Sequence, residues 1–216
     1  DGLRLALPVM RRRFPLPILH NWSSPVNFHG MPHVDSDAAG SAMTCLLKKI
    51  GHPLLLHSVP TGGPLWGALT AAAGHVAVIE TWERAVLQPK GTFADWFETN
   101  FERKRRKEYR RLRSRLSEQG AFETSSLKPG DDVASWVNDF VMLEAAGWKG
   151  SRGTAMQADT RTVAALHEAC MALSLSGRLR FWKLTLDGKP IAMLFALVDG
   201  TEAWLGKIAY DETLSR

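Results

Sequence analysis

Apolar positions in the first ninety residues come in short strand-like runs, and one clear helical period interrupts them. Residues 3–10 (LRLALPVM) read as a strand and residues 15–20 (PLPILH) as a weaker second one. A stretch rich in Ser, Pro and Gly over 23–36 reads as a loop. From 38 to 50, Ala42, Met43, Leu46, Leu47 and Ile50 recur at helical spacing, and Gly51 supplies the stop. Residues 54–59 read as a short strand, and Thr61-Gly62-Gly63-Pro64 turns the chain into an Ala/Leu/Trp helix ending near Gly74. Residues 75–87, with Val76, Val78, Trp82 and Val86, read as a long strand. Pro89 and Gly91 then break the pattern, which places a domain boundary at 88–92.

The second half has a plainer order. One long helix is expected over 93–116, with Phe93, Phe97, Phe101, Leu112 and Leu116 as its stripe and Gly120 closing it. Residues 121–127 form a strand. Asp131 or Asp132 then caps a helix whose apolar face is Val133, Trp136, Val137, Phe140 and Leu143. A glycine-rich loop over 147–154 leads to a second helix carrying Val163, Leu166, Cys170 and Leu173, which stops at Gly177. Strands at 178–186, 190–198 and 201–210 follow, joined by Asp187-Gly188 and Asp199-Gly200, dipeptides that favour type I′ hairpins. Residues 191–198 are apolar on both faces, as a covered central strand should be. Alternation along the last strand puts Glu202, Trp204, Ile208 and Tyr210 on one face, with Leu205, Lys207 and Ala209 on the other.

Composition changes this picture little, because 45% hydrophobic and 23% charged residues in 216 are ordinary for a globular protein. No run approaches the roughly 18 apolar residues that span a bilayer, and the start at Asp1 shows no basic-then-apolar leader. A cytoplasmic protein is expected, with both ends read as cuts in a longer chain. Charge is informative through its placement. Residues 98–118 hold nine basic side chains (Arg103, Lys104, Arg105, Arg106, Lys107, Arg110, Arg111, Arg113, Arg115) against four acidic ones, and so carry the whole formal surplus of +5. Such a helix is a solvated face or a surface for an anionic partner. Cys45 and Cys170, 125 positions apart among apolar residues, read as buried structural thiols rather than a disulfide or metal pair. His29 and His33 are four apart, but in a Gly/Pro-rich loop where helical spacing has no meaning, so no metal site is expected.

Three stretches carry a family likeness: the basic helix ending Arg110-Arg-Leu-Arg-Ser-Arg-Leu-Ser-Glu-Gln-Gly120; Leu143-Glu-Ala-Ala-Gly-Trp-Lys-Gly-Ser-Arg-Gly-Thr-Ala155; and Gly177-Arg-Leu with Leu186-Asp-Gly-Lys-Pro-Ile-Ala-Met193 and Lys207-Ile-Ala-Tyr-Asp-Glu212. Together they resemble the cellulose-biosynthesis-associated acetyltransferase-like family of the GNAT superfamily, related to the Fem-type aminoacyltransferases. The likeness spans about 101–212, and it departs from the family pattern where Ser151 stands between Gly150 and Arg152.

The resemblance implies an α/β (α+β) protein of tandem GNAT-like units with mixed sheets flanked by helices. Residues 1–90 would close a first unit, 91–120 would be a basic linking helix, and 121–216 would open a second unit, cut before the CoA pyrophosphate loop. It implies an acyltransferase with acetyl-CoA as donor and a small-molecule or saccharide acceptor. The cofactor would lie along Lys207, Ile208, Ala209 and Tyr210, with Arg216 at the end of the segment. Tyr210, Asp211 and Glu202 are the candidates for proton transfer, while Glu144, Trp148, Lys149 and Arg152 would meet the acceptor. Two other readings stay open. A Fem-type enzyme would take charged tRNA and use the basic helix for it, and a non-catalytic scaffold would use neither substrate.

Overall fold

The computed structural model describes residues 2–13, 15–22, 32–62 and 64–214. Among them are seven α-helices and three sheets, and the chain divides into two compact units, residues 1–84 and 85–216. Most of the 23–36 loop, with His29, and also Gly63 and Arg216 lie outside the described residues.

In the first unit the expected strand over 3–10 is two strands, β1 (Leu5–Ala6) and β2 (Val9–Arg12). They join different sheets. β1 pairs antiparallel with β4 (His33–Val34), whereas β2 pairs antiparallel with β3 (Ile18–Asn21). The break falls at Pro8, whose ring nitrogen has no proton to give a ladder; its carbonyl accepts from Trp22 N–H at 2.8 Å. Helix α1 (Ala39–Ile50) ends as its sequence demands, on Gly51 at φ 56°. β5 (Leu54–Leu55) pairs parallel with β3 and is shorter than the expected 54–59, because the chain turns at Ser58, which takes φ 56°. α2 (Pro64–Ala72) brings Leu65 and Leu69 onto Met43 of α1, and Leu5, Leu46 and Leu56 pack around that centre. Asn21 is buried and reads the backbone of His57 both ways, accepting from its N–H at 2.8 Å and donating to its carbonyl at 3.1 Å. Cys45, expected in the core, is exposed because α1 turns Ala39 and Met43 inward and position 45 outward.

Residues 75–90 form no strand, contrary to the expectation for 75–87. Val76, Val78, Ile79, Trp82, Val86 and Leu87 are all exposed. An alternating pattern specifies a face, but a strand also needs a partner ladder. Among the described residues this segment has none.

The second unit opens with a second departure. The expected helix over 93–116 is two helices, α3 (Phe93–Asn100) and α4 (Arg103–Gln119), with extended backbone at Phe101 between them. α3 begins in a reciprocal capping box between Thr92 and Asp95. At its other end the Arg106 guanidinium donates to the carbonyls of Glu98 and Phe101, groups a helix C-terminus leaves without partners. The corner also lets Phe97, Phe101 and Tyr109 cluster with ring centroids 5.1–6.0 Å apart. α4 buries no residue. Several of its cations are occupied locally: Arg111 on Glu108, Arg105 over Tyr109, and Arg113 over the ring of Phe122.

From there the structure follows the expected order. β6 (Phe122–Ser126) leads to α5 (Val133–Ala146), capped by Asp132, whose carboxylate accepts from Ala134 and Ser135 N–H. A single turn, α6 (Trp148–Ser151), precedes α7 (Thr160–Leu175). Gly177 ends α7 at φ 69°, with Arg178 N–H reaching back to Leu173 C=O at 2.7 Å. β7 (Leu179–Leu186), β8 (Lys189–Asp199) and β9 (Glu202–Tyr210) then complete an antiparallel sheet in the order β6-β7-β8-β9. The first hairpin has Asp187 and Gly188 both at positive φ, as a type I′ turn requires. In the second, Asp199 still pairs with Glu202, so the turn is Gly200-Thr201 with only Gly200 at positive φ, the II′ pattern.

The core lies between this sheet and α5 with α7. Phe140, Phe181 and Phe195 meet with centroids 5.3–5.8 Å apart. Burying each ring contributes about 2–3 kcal/mol. Cys170 sits in the same core as expected, and burial pushes its thiol up to about 11.

Candidate functional site

The last strand is irregular where it matters. Leu194 pairs with Ile208 and Ala196 with Leu205, so Gly206 and Lys207 together face Phe195 alone. This is a β-bulge, and one extra residue reverses the alternation beyond it. Opposed residues share a face, so Trp204 (opposite Leu197) and Ala209 (opposite Met193) lie on the helix-covered side. Leu205, Ile208 and Tyr210 lie on the other. The plain alternation that grouped Trp204 with Ile208 and Tyr210, and Leu205 with Ala209, is thereby corrected. Glycine is required at 206, since a Cβ there would sit 2.0 Å from the Phe195 ring.

Because of the bulge, Lys207 reaches under the sheet to Glu144 on α5. Glu144 continues the buried face Val133, Trp136, Val137, Phe140, Val141 and is only 3% exposed. One carboxylate oxygen accepts from Lys149 Nζ at 3.0 Å and Lys207 Nζ at 3.2 Å, and the other from Met156 N–H at 2.9 Å. Burial by itself would raise the Glu144 pKa. The Met156 N–H and the two ammonium groups outweigh it and hold the carboxyl below its ordinary range.

A cleft of about 160 Å³ opens beside this cluster. One wall is the end of α5 and the turn after it: Leu143, Glu144, Gly147, Trp148 and Lys149. The other is Ile208, Ala209 and Tyr210 of β9, with Glu212 beyond. Three consecutive strand residues line it, so the wall is the outer edge of β9, which no strand pairs with among the described residues. The two walls are tied together. Glu212 Oε1 accepts from Trp148 N–H at 3.1 Å, and a Cβ at Gly147 would come within 3.1 Å of that same oxygen. Gly150 is needed more strictly, because a Cβ there would sit 1.7 Å from Ala145 C=O. Gly147 and Gly150 thus let the turn fold back onto α5. Trp148 is half-exposed, with Arg152 at 5.1 Å and Lys149 at 5.9 Å from its ring centroid.

Of the residues singled out from the sequence, Glu144, Trp148, Lys149, Ile208, Ala209 and Tyr210 meet in this cleft. Arg152 stacks on Trp148 without lining it, and Lys207 backs Glu144 from behind. Asp211 turns its carboxylate to Thr213, accepting from the N–H at 2.9 Å and the hydroxyl at 2.7 Å, and so begins the 3-10 turn Glu212–Leu214. Glu202 stands in the β8–β9 hairpin outside the lining, and Arg216 lies outside the described residues. Glu212 was not foreseen; its only signal was its place next to Tyr210-Asp211 after an apolar strand.

The acetyltransferase (GNAT) domain family model matches residues 103–216, more than half of the chain. The chain is a member of the GNAT acetyltransferase family. Its α/β fold is that of a GNAT protein, and its activity class is acyl transfer. No curated protein and no solved structure matches the chain. Among the described residues of this GNAT protein no helix is long and apolar enough to cross a membrane, and no three His, Cys, Asp or Glu side chains group as metal ligands.

Proposed function

We propose that this GNAT protein transfers an acetyl group from acetyl-CoA to a small-molecule or saccharide acceptor in the cleft between the Trp148 turn and β9. The observation that carries the proposal is the outer edge of β9, unpaired among the described residues, facing that turn. An open strand edge offers main-chain N–H and C=O groups at regular spacing, which suits the amides of a pantetheine arm laid alongside. When bound, the thioester supplies the activated acyl group. The residues of the chain orient the acceptor against it, take its proton and shield the reacting atoms. In this reading the new C–N or C–O bond forms as the C–S bond breaks. Glu212 takes the acceptor's proton, and the Tyr210 hydroxyl gives one to the leaving sulfur. Asp211 and Glu202 are weaker proposals for these roles, because neither lines the cleft. A cytoplasmic place in cellulose or exopolysaccharide synthesis, and a first GNAT-like unit in residues 1–90 joined by the segment 91–120 that holds α3 and α4, follow from the family likeness and belong to the same proposal.

Titration calorimetry of the full-length protein with acetyl-CoA, followed by thiol release with an acceptor screen, tests the reading. Expected are heat of binding and acceptor-dependent thiol that falls at least about tenfold in Tyr210→Phe. No heat at millimolar acetyl-CoA would remove the proposal. Tight, salt-sensitive tRNA binding in its place would favour a Fem-type enzyme using the open face of α4.

A further inference from the structure

The Glu144 cluster carries more charge than it cancels. One carboxylate, 1% exposed at its side chain, meets two ammonium groups at 3.0 and 3.2 Å, themselves only 26% and 24% exposed. The carboxylate is used up: one oxygen takes both lysines and the other takes Met156 N–H. Each ammonium has three donors and spends one on Glu144. Without Lys207, the Glu144–Lys149 pair would be neutral. With Lys207 behind it, a formal +1 is left in a half-buried wall, and of the two lysines Lys149 is the one that lines the cleft. A surplus charge held away from bulk water is costly unless an opposite charge meets it.

We propose that this surplus is the recognition site for a carboxylate on the acceptor, bound by Lys149 and tuned by Lys207. The statement rests on the acyl-transfer reading for the word acceptor, and on the cluster alone for the carboxylate. A single negative charge matches the single surplus. Glu212 on the opposite wall repels either anion, a phosphate dianion about twice as strongly as a carboxylate, and the dianion would also leave one charge over. Trp148, half-exposed beside Lys149, gives an apolar surface for the carbon skeleton that joins the carboxylate to the attacking group. Lys207 does not line the cleft, so it acts as a positioning residue through Glu144.

Two matched pairs of probes separate the sources of such a carboxylate: N-acetylalanine with N-acetylalaninamide, and glucuronate with glucose. Each is titrated into the isotope-labelled chain, following the Trp148 indole N–H and the Lys149 ε-methylene by NMR. In at least one pair the acid is expected to bind about tenfold or more tighter than its neutral mate. Its shifts should weaken with added NaCl while the mate's do not. Lys149→Met abolishes the preference and Lys149→Arg keeps it. Lys207→Met, which leaves Glu144 and Lys149 as a neutral pair, removes most of it. Because wild-type selectivity and its salt response are read without any variant, a misfolded substitution leaves the test intact. The proposal is overturned if acid and mate bind alike, if neither pair binds, or if Lys149→Met retains the preference. It is also overturned if that substitution weakens adenosine 3′,5′-bisphosphate but not the carboxylates, since the donor's phosphates would then own the site. Failure of acetyl-CoA to bind would remove the acyl-transfer reading and leave the acid selectivity standing, so the two failures are distinguishable.

Discussion

Glu144 shows how one side chain joins stability to the site. It sits where α5 would ordinarily place a leucine, four residues after Phe140, and only three donors make that position tolerable. Removing the carboxylate's charge leaves two ammonium groups facing each other across a neutral amide. Glu144→Gln should therefore destabilise the fold by about 3–5 kcal/mol at neutral pH, the usual consequence of stripping one partner from a buried ion pair. The pH dependence has a definite sign. A carboxyl depressed in the folded state contributes its stability above the ordinary value of 4.5, and loses it as pH falls through the lower folded value. Denaturant unfolding across pH should thus show the wild type losing stability below about pH 4.5 more steeply than Glu144→Gln. Parallel acid limbs would contradict the assignment. From sequence alone Glu144 was a residue in a motif, because helical periodicity marks a position as inward without saying which donors wait there.

At the scale of elements, the division of one expected helix and a bulge in the last strand bear most on the site. The pattern over 93–116 carries a helical stripe throughout, and nothing in propensity stops it at Phe101. What stops it is Arg106, which satisfies the end of α3 and lets Phe101 fold against Phe97 and Tyr109. Arg106→Gln should loosen that corner. By hydrogen exchange, the amides of Phe93–Asn100 should lose protection while those of Val133–Ala146 keep theirs. Unchanged protection in α3 would mean that the aromatic cluster alone holds it. The bulge at Gly206–Lys207 has a larger consequence, since it turns Lys207 toward Glu144 and so builds the charged wall of the cleft. Gly206 did signal it, because a glycine inside a strand marks a bulge or a close approach. Its direction required Phe195.

For the whole molecule, the segment 75–90 is the exposed stretch that crosses the division at residue 84. Its apolar side chains are open and its backbone joins no ladder. Limited proteolysis with chymotrypsin should cut first at Trp82 or Leu87 and leave a resistant fragment holding residues 93–214. First cleavage inside β7 or β8 would contradict that.

The sequence by itself determined what depends on near neighbours. A cap at Asp131 or Asp132, the stop at Gly177, the Asp187-Gly188 turn, the meander order and the inward faces of α5 and α7 all follow from spacing and local backbone preference. Tertiary structure alone decided which segments found partners and which charges met. Residues 75–87 had a strand's pattern without a strand's neighbour, residues 3–10 were divided between two sheets, and Lys207 met Glu144, already beside Lys149, across 63 positions of chain. Pairing and charge compensation join residues tens of positions apart, and a periodicity read over a dozen residues contains no term for them.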